Sequence, residues 1–458
     1  MYAPSVEPLV ESIPYQTDSI RYLSKVRKLG KAVLIDSCAN LIEGGRYDIL
    51  SAQPAFTISH TFSSPGPTEQ AEQPSPFDKI RNQLTKTRAL AKPPAGLPFM
   101  GGFIGYLGYE FGMELENIQL TTKREITLPD IQLGWYEWAM VADHLEKRCY
   151  LVALPGFDQR KFHSIRDILV KADESQSDNT PFILQTPFVS NTTFSQYNAA
   201  FEKVIRYIHA GDCYQINLSQ QFSSSYSGDT WDAYRQLRQA TPSPYSAYME
   251  FDAGTLLSLS PEQFISLQDK QVTTHPIKGT RPRGDNKKDD LALAQALESS
   301  AKDRAENLMI VDLLRNDLGK SCVPGSIEVP ELFKLHSFSN VHHLVSAITG
   351  TLRDEADSVD LLKGCFPGGS ITGAPKRRAM EIIAELEPHN RSLYCGSIGY
   401  IGANGNINMN IAIRTLVTNQ NKIYCWGGGG IVADSEVEME YQECFDKIDR
   451  LINCLPLS

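Results

Sequence analysis

The pattern of apolar and polar positions predicts a long amphipathic helix near the middle of the chain. Thr193 and Gln196 have the spacing of a capping box, in which each side chain bonds the backbone of the other. An apolar stripe at helical period follows, and Gly211 ends the predicted helix. The stripe consists of Tyr197, Phe201, Val204, Ile205 and Ile208.

The first part of the chain reads as a mixture of helices, strands and loops. The Pro/Ser/Gln-rich segment 63–76 predicts a loop, and a helix is predicted after it, from Phe77 to about Leu90. The runs WAMVADH and RCYLVALP, joined by a short polar turn, predict a hairpin, and a charged helix follows Phe157. The polar stretch from Ala172 to Pro181 predicts a boundary between an N-terminal region, 1–175, and a C-terminal region, 190–458.

In the C-terminal region, strand-like runs alternate with helical stretches. The strand-like runs are YSAYMEF, TLLSLS, YCGSIGYIG, NMNIAIRTL and KIYCWGG, and the helical stretches lie near 288–318, 357–364, 376–386 and 435–454. Several strands follow one another at hairpin distance. The pattern therefore predicts an α+β fold with mainly antiparallel sheets rather than a doubly wound parallel sheet.

Composition limits the classes of protein that remain. The 458 residues are 41% hydrophobic and 21% charged, as in soluble globular proteins, and no apolar run reaches the ~18 residues of a membrane span. The net charge of -10 opposes nucleic-acid binding, which requires neutralisation of phosphates. The nine cysteines form no CxxC pair, so we expect reduced thiols. Acidic residues precede Arg21, so we expect no secretory signal. Both observations predict a cytoplasmic protein.

Two pairs of carboxylates are the first candidates for chemistry. Asp303 and Glu306 are spaced i, i+3 on one predicted helix, as are Glu440 and Glu443 on another, so each pair shares a helix face. Four hard oxygen donors suit Mg²⁺, which prefers carboxylates, waters and an anionic substrate. The alternative is that Glu436, Glu440 and Glu443 form a solvated stripe, with Lys447 pairing with Glu443.

Lys278 and Glu262 are the second candidates. Lys278, in PIKGT, lies between an apolar strand and a tight glycine turn, where burial or nearby positive charge could make a lysine nucleophilic. Its alternative interpretation is a solvated loop lysine, and that of Glu262, in LSLSPEQF, is the start of a turn or helix.

Two glycine-rich segments do not match nucleotide-binding motifs. GGSITGAPK has Ala374 and a delayed lysine in place of the P-loop spacing, and GGGGIVA lacks the third glycine of a dinucleotide fingerprint. His342 and His343 are adjacent, so in a strand they point to opposite faces and cannot chelate one metal together.

Taken together, these segments resemble the chorismate-utilising enzymes. In the second half the resemblance rests on LSLSPEQF, PIKGT, DRAENLMIVDLLRNDLG, VHHLVS, GGSITGAPK, CGSIGYIG, IAIRTL, GGGGIVADS and EMEYQE, in the family's order. In the first half it rests on LIDSCANLIEGGRYDIL, GGFIGYLGYEFG and LPD. The resemblance implies an anthranilate synthase component I-like fold, with antiparallel sheets packed as a two-layer core and surrounded by helices.

The resemblance also implies a reaction. Anthranilate synthases carry alanine where this chain has Lys278, so the resemblance favours conversion of chorismate and ammonia to 4-amino-4-deoxychorismate, for p-aminobenzoate and folate synthesis. Anthranilate or isochorismate synthesis is the alternative. Lys278 is expected to attack the ring and Glu262 to protonate the leaving hydroxyl, with Mg²⁺ held by Glu306, Glu440, Glu443 and Asp303.

Further contacts are implied on the same basis. The residues expected to bind chorismate are Thr280, His343, Gly373, Ala374, Lys376, Arg414, Gly428, Gly429 and Gly430. The alternative for Arg414 is a surface charge at a strand end. Because no amidotransferase-type cysteine motif is present, a glutamine amidotransferase subunit is the expected ammonia source. A tryptophan pocket is implied at Ser37, Gly44, Gly45, Arg46, Tyr47, Pro244, Tyr245 and Ser246.

Overall fold

Antiparallel pairing joins strands from along the whole chain into two large sheets. The computed structural model describes residues 7–42, 44–62, 74–87, 96–171, 180–338 and 341–458. The strands are β1 (Leu9–Ile13), β2 (Val33–Asp36), β3 (Tyr47–Ser51), β4 (Phe56–His60), β5 (Gly102–Leu107), β6 (Ile131–Tyr136), β7 (Trp138–Asp143), β8 (Arg148–Ala153), β9 (Ile183–Leu184), β10 (Val189–Ser190), β11 (Gln215–Ser227), β12 (Tyr245–Phe251), β13 (Gly254–Ser260), β14 (Gln263–Gln268), β15 (Gln271–His275), β16 (Ile277–Pro282), β17 (Glu328–Ser337), β18 (Val341–Thr351), β19 (Gly373–Ala374), β20 (Ser397–Gly402), β21 (Ile407–Ile411), β22 (Thr415–Asn419) and β23 (Lys422–Ile431).

The helices surround these sheets. They are α1 (Ile20–Val26), α2 (Pro76–Thr87), α3 (Tyr109–Leu115), α4 (Gln159–Val170), α5 (Phe194–His209), α6 (Thr230–Ala240), α7 (Lys287–Ser299), α8 (Ala301–Gly319), α9 (Ser358–Cys365), α10 (Lys376–Leu386) and α11 (Val437–Asn453). Within the described ranges, no helix is long and apolar enough to cross a membrane.

Both sheets contain strands from the predicted N-terminal and C-terminal regions. The larger sheet follows the order β1-β8-β7-β3-β2-β12-β13-β22-β23-β11-β10, and the smaller follows β16-β18-β15-β14-β21-β20-β5-β6-β4. The regions meet where β2 pairs with β12 and where β5 pairs with β20. The predicted boundary falls mainly on 172–179, outside the described residues, and so does most of the predicted loop, 63–73; both stay predictions.

Apolar side chains form one core between the sheets and another on the outer side of the larger sheet. Val33 and Ile49 of the larger sheet share the first core with Phe103 of the smaller one. The second core covers the opposite face with helical side chains such as Leu23 and Phe162. The predicted α+β fold with a two-layer antiparallel core is therefore confirmed.

Local sequence signals predicted many elements correctly. The Thr193–Gln196 capping box is formed at the start of α5, and Gly211 follows the helix with a φ of 81°. The predicted hairpin is the β7–β8 pair, and helices α4, α9, α10 and α11 lie where helical stretches were expected. Helix α2 begins at Pro76 and is described as far as Thr87.

Three predicted elements differ from the structure. The helical stretch near 288–318 is two helices, because the Ser300 side chain caps α8 by accepting a hydrogen bond from Asp303 N at 3.2 Å. The run NMNIAIRTL is two strands in different sheets, separated where Arg414 adopts a φ of 48°. The glycines of GGGGIVA, expected after a strand, lie inside β23.

Candidate active site

Lys278 and Glu306 form the centre of the candidate site. Strand β16 carries Lys278 and helix α8 carries Glu306, and Lys278 Nζ lies 2.8 Å from Glu306 Oε1. Gln215, at the start of β11, donates from Nε2 to the same oxygen at 2.6 Å. Burial raises the pKa of Glu306, but the charge and hydrogen bond of Lys278 outweigh burial, so the net shift is downward. Glu306 is thus held as a carboxylate.

The second pair of carboxylates lies on α11. Ser435 donates to Glu440 Oε1 at 2.7 Å, whereas Glu440 Oε2 is buried without a hydrogen-bond partner in the described part of the chain. Burial raises the pKa of Glu440, and the neighbouring charge of Glu443 adds to that effect. Lys447 Nζ lies 2.6 Å from Glu443 Oε1, as the solvated-stripe alternative expected, and also donates to the Gly428 carbonyl at 2.8 Å.

Two consecutive glycines of β23 lie next to carboxylates of the two helices. A Cβ atom added at Gly429 would lie 2.6 Å from Glu440 Oε2, and one added at Gly430 would lie 3.2 Å from Glu306 Oε1. A side chain at Gly429 would displace the Glu440 carboxylate, and one at Gly430 would displace the Gln215 amide, which lies 2.1 Å from the added Cβ. We call Asp303, Glu306, Glu440 and Glu443 the carboxylate cluster.

The carboxylate cluster offers donors suited to a magnesium ion. Among the described residues, no three His, Cys, Asp or Glu side chains are grouped closely enough to hold a metal as they stand. Glu306 and Glu443 contact lysines, and Asp303 pairs with Arg281 at 3.0 Å. The unpartnered Glu440 Oε2 is nevertheless an anionic oxygen whose burial a cation would offset, and hard carboxylate oxygens are the ligands that Mg²⁺ prefers.

Glu262 lies between β13 and β14 rather than at a helix start, and its carboxyl group is almost fully buried. Burial raises the pKa of Glu262 to about 7, although a hydrogen bond from Ser370 and the charge of Lys278 act in the opposite direction. A carboxyl group with this pKa is partly protonated at neutral pH, as a general acid requires.

Thr280, His343 and Arg414 are neighbours of this centre. Thr280 Oγ1 lies 2.9 Å from His343 Nδ1 across the β16–β18 pair. Burial and the charge of Arg414 lower the pKa of His343 to about 3, so the imidazole is neutral. Burial also lowers the pKa of Arg414, and no carboxylate of the described residues offsets this shift. The guanidinium therefore remains available for an external carboxylate.

The segment 373–376 divides into two parts. Gly373 and Ala374 form β19, which pairs with Gln215 and Ile216 of β11 and so lies beside the Glu306 contact. Lys376 instead contacts Asp317 Oδ2 at 2.6 Å and the Cys365 carbonyl at 2.8 Å. None of these contacts joins Lys376 to the carboxylate cluster.

The predicted tryptophan pocket contains a buried polar group, which we call the N-terminal polar cluster: Asp36, Ser37, Asp48, His144 and Arg238. Ser37 Oγ donates to Asp48 Oδ1 at 2.7 Å, and Arg238 Nε donates to Asp36 Oδ2 at 2.5 Å. A Cβ added at Gly45 would lie 2.5 Å from the Ser37 carbonyl oxygen, and Ser246 pairs with Asp36 across β2 and β12.

The other predicted pocket residues lie around this cluster. Gly44 has a φ of 91°, Arg46 pairs with Asp143 at 3.0 Å and stacks over the Tyr47 ring, and the Tyr245 carbonyl accepts from Asn410. Pro244 precedes β12. Tryptophan binding stays a prediction.

The sequence did not indicate the role of Gln215, and it indicated only one of the contacts of Lys447. Gln215 lies in a strand of small polar residues, and nothing in its spacing indicated a contact with Glu306, 91 residues away. Lys447 was recognised only as a partner of Glu443, but its charge also lowers the pKa of Glu262 and of Glu306.

The fold and the site define a class of protein: the family of chorismate binding enzymes matches residues 31–453, and this chain belongs to that family. The chain is 43% identical over 456 residues to the aminodeoxychorismate synthase component 1 of Salmonella typhimurium (strain LT2), covering 98% of this chain and 99% of the relative. Identity to the protein of the same name from Escherichia coli (strain K12) is 42% over 459 residues, with 98% and 99% covered.

A solved structure confirms the predicted fold type. The anthranilate synthase component I of Streptococcus pneumoniae TIGR4 superposes with a TM-score of 0.79 at 32% identity, covering 89% of this chain and 92% of that one. A relative named for a different product therefore shares this architecture.

Proposed function

We propose that this chain converts chorismate and ammonia to 4-amino-4-deoxychorismate, with ammonia supplied from glutamine by a partner amidotransferase subunit. The observation that carries the proposal is the place of Lys278. Its amine contacts Glu306 at 2.8 Å and its charge acts on Glu262, which supports the roles of nucleophile for Lys278 and acid for Glu262 beside one carboxylate of the cluster. The aminodeoxychorismate synthase relatives, similar over 98% of this chain, support the choice of product.

Substrate binding relies on cationic and backbone groups. Arg414 lies beside neutral His343 without a carboxylate of its own, and a guanidinium can grip a substrate carboxylate through two parallel hydrogen bonds. Gly429 and Gly430 leave the backbone open next to the carboxylate cluster, where a bulkier residue would exclude the substrate.

The chemistry follows from the positions of Lys278 and Glu262. Lys278 first releases the proton of its ammonium group to solvent; its amine then attacks ring carbon 2, the ring double bonds shift, and the hydroxyl on carbon 4 leaves as water with the proton of Glu262. Ammonia then bonds to carbon 4 while the carbon 2–nitrogen bond to Lys278 breaks, and the surplus proton of the entering ammonia passes to the Glu262 carboxylate, which restores the acid. The lysine amine is regenerated for the next turnover.

Magnesium is the proposed cofactor of this site. Glu306, Glu440 and Glu443, with Asp303, are the residues that would hold it. When bound, the ion supplies Lewis acidity and a positive charge for the ring carboxylate of chorismate. The unpartnered Glu440 Oε2 is the feature that supports this assignment.

The cysteines support an external source of ammonia. Glutamine hydrolysis by an amidotransferase uses a thiolate, whereas all nine cysteines here are free and eight of them are buried. Burial raises the pKa of the Cys395 thiol to about 12 and that of Cys444 to about 11. These thiols are therefore protonated at neutral pH.

Free thiols also agree with a cytoplasmic location, which we propose on that ground.

Product analysis tests the proposal. The purified chain is incubated with chorismate, an ammonium salt and Mg²⁺, and the products are separated by chromatography and mass spectrometry. We expect 4-amino-4-deoxychorismate, and we expect glutamine to replace the ammonium salt only when the amidotransferase subunit is added. Glutamine-dependent turnover by the isolated chain would contradict the second expectation.

Anthranilate synthesis is the second candidate, because the similar S. pneumoniae structure carries that name. Lys278 disfavours it, since anthranilate synthases resemble this chain but have alanine at that position. Anthranilate or isochorismate as the main product in the same assay would replace the proposal.

Calorimetric titration with L-tryptophan tests the separate prediction of an N-terminal pocket.

A further inference from the structure

The segment that joins α9 to α10, residues 366–375, runs through the interior of the protein. Residues 366–374 are all buried, and Pro375 is exposed. Connections between helices ordinarily lie on the surface, where water can satisfy their backbone groups. We call residues 366–375 the α9–α10 segment. Its burial indicates that its position serves the groups around it.

The α9–α10 segment contacts two parts of the candidate active site. Ser370 donates a hydrogen bond to the Glu262 carboxyl group. Ala374, in β19, pairs with Gln215 of β11, and Gln215 in turn donates to Glu306 at 2.6 Å. The expected acid and the partner of the central carboxylate therefore both contact the same stretch of chain.

Two glycines let this segment lie directly against its neighbours. A Cβ added at Gly368 would lie 2.5 Å from Ile411 Cδ1 of β21. One added at Gly369 would lie 2.6 Å from Leu313 Cδ2 of α8. Glycine offers no side-chain packing and loses more backbone freedom on ordering than other residues do. The part of the segment around Ser370 therefore depends on its neighbours and on its two ends for a fixed position.

Lys376 joins the two ends of the segment. It is the first residue of α10, and its Nζ donates to the carbonyl of Cys365, the last residue of α9, at 2.8 Å. The same Nζ pairs with Asp317 Oδ2 of α8 at 2.6 Å. One ammonium group thus connects both ends of the α9–α10 segment to the helix that carries Glu306.

Stability alone does not account for this lysine. The side chains of Lys376 and Asp317 are 8% and 3% exposed, and the desolvation of a buried ion pair often exceeds its mutual attraction. The dipole of α10 also opposes a positive charge in the first turn of the helix. Apolar pairs of similar size are commonly as stable. The fixed geometry that the ion pair gives the segment is therefore the better explanation.

We propose that Lys376 is a positioning residue for the reaction: it holds the α9–α10 segment so that the Ser370 hydroxyl stays against Glu262. The inference rests on the proposed function, which makes Glu262 the acid. Within the described residues, no hydrogen bond or ion pair joins the Lys376 side chain to Glu262 or to the carboxylate cluster, so its effect passes through the segment. This role differs from the chorismate contact that the resemblance implied for Lys376.

The Ser370 hydrogen bond favours the ionised form of Glu262, against the effect of burial. Lys278 of β16 and Lys447 of α11 face Glu262 with the same effect, and the Cys395 thiol lies nearby. Removing the ion pair changes none of these three groups. Loss of the Ser370 bond should therefore raise the pKa of Glu262 by about one unit, as expected for a hydrogen bond to a charged group.

Infrared difference spectroscopy measures this pKa directly. The protein is labelled with ¹³C-glutamate, and the Glu262 band is assigned by its absence in Glu262→Gln. Because Lys376→Met alone leaves a buried carboxylate, the double variant Asp317→Leu/Lys376→Met replaces the pair with apolar groups. In this variant and in Ser370→Ala, we expect the pKa of Glu262 to rise by about one unit. Lys320→Met, which removes the other, exposed partner of Asp317, is the matched control and should leave this pKa unchanged.

Kinetics shows whether Lys376 acts through Ser370. With chorismate, an ammonium salt and Mg²⁺, kcat should fall about tenfold in Ser370→Ala and in the double variant, part of the 100-fold or more that a general acid contributes. The triple variant should be no slower than either, because both changes remove one interaction. Multiplied losses in the triple variant would overturn the proposal, since the ion pair would then support the structure independently of Ser370.

The pKa measurement can overturn the proposal by itself. An unchanged pKa of Glu262 in the double variant would do so, whether or not the pKa moves in Ser370→Ala. A wild-type chain that makes no aminated chorismate would instead contradict the proposed function, while the infrared titration would still decide how Glu262 is positioned.

Discussion

The carboxylate cluster and the N-terminal polar cluster both contain buried carboxylates, but these carboxylates are paired differently. In the N-terminal polar cluster, Asp36 is paired with Arg238 and Asp48 with His144, so the charges are neutralised inside the protein. In the carboxylate cluster, Glu440 Oε2 has no partner among the described residues. Close by, Glu262 has a raised pKa. The difference indicates that the first region is organised for stability and the second for binding and reaction.

The largest effect, on kcat/KM, is expected when an anionic oxygen is removed from the carboxylate cluster. Glu306→Gln and Glu440→Gln should each lower kcat/KM for chorismate about 1000-fold or more, because charge stabilisation of several kcal/mol is lost. Folding should be retained, since the amide is nearly isosteric. Steady-state kinetics across a magnesium titration measures the effect. Glu438→Gln, at an exposed position of α11, is the control. Wild-type magnesium dependence in both cluster variants would show that these carboxylates form only a solvated stripe.

In the N-terminal polar cluster, the effect expected from a substitution is on stability. Arg238→Met should destabilise the protein by about 3–5 kcal/mol, because it leaves the buried Asp36 carboxylate without its partner. Arg46→Met removes a pair whose arginine side chain is 44% exposed, and the buried Asp143 keeps hydrogen bonds from two backbone nitrogens, so the effect should be smaller, about 1 kcal/mol. Chemical denaturation measures both values. Equal stabilities of the two variants would show that the buried Asp36–Arg238 pair contributes no more to stability than a partly exposed pair.

Substitutions of Lys278 distinguish covalent chemistry from electrostatic binding. Lys278→Ala should slow amination about 100-fold, equivalent to about 2.7 kcal/mol of barrier, because ammonia must then add without the covalent step. Incubation of the wild-type chain with chorismate and Mg²⁺, without ammonia, should leave an adduct on the peptide containing Lys278, detected by mass spectrometry.

Lys278→Arg is the matched control, since it keeps the positive charge next to Glu306 but cannot act as a nucleophile at neutral pH. It should be no faster than Lys278→Ala. A normal rate in the arginine variant, together with no wild-type adduct, would show that Lys278 provides only charge.

The smallest expected effect is the pH dependence that Glu262 confers. The protonated form of Glu262 is the proton donor, and burial raises its pKa to about 7. The rate at a fixed concentration of neutral ammonia should therefore level off above this value, because the protonated fraction of Glu262 falls about tenfold per unit while the neutral fraction of the Lys278 amine grows. Glu262→Gln should be slow and should lose this limb of the profile. A rate that keeps rising from pH 7 to 9 in the wild-type chain would exclude Glu262 as the acid.

Signals that depend on neighbouring residues could be predicted from the sequence alone. The capping box of α5, the β7–β8 hairpin and the i, i+3 spacing of each carboxylate pair all depend on residues a few positions apart, whose geometry the backbone dictates. The sequence by itself also determined the fold type, because hairpin spacing between strands favours antiparallel sheets, and it indicated the family through nine ordered segments of the second half.

Only the tertiary structure decided how distant residues meet. The partner of Lys278 is 28 residues away on α8, and the shifted pKa of Glu262 depends on burial between strands from distant parts of the chain. The division of NMNIAIRTL into two strands depends on Arg414, whose left-handed backbone sends the chain from one sheet to the other. Periodicity reports which face of an element is buried but not what lies against it, so the contacts of Gln215, Arg414 and Lys376 could not be read from the sequence.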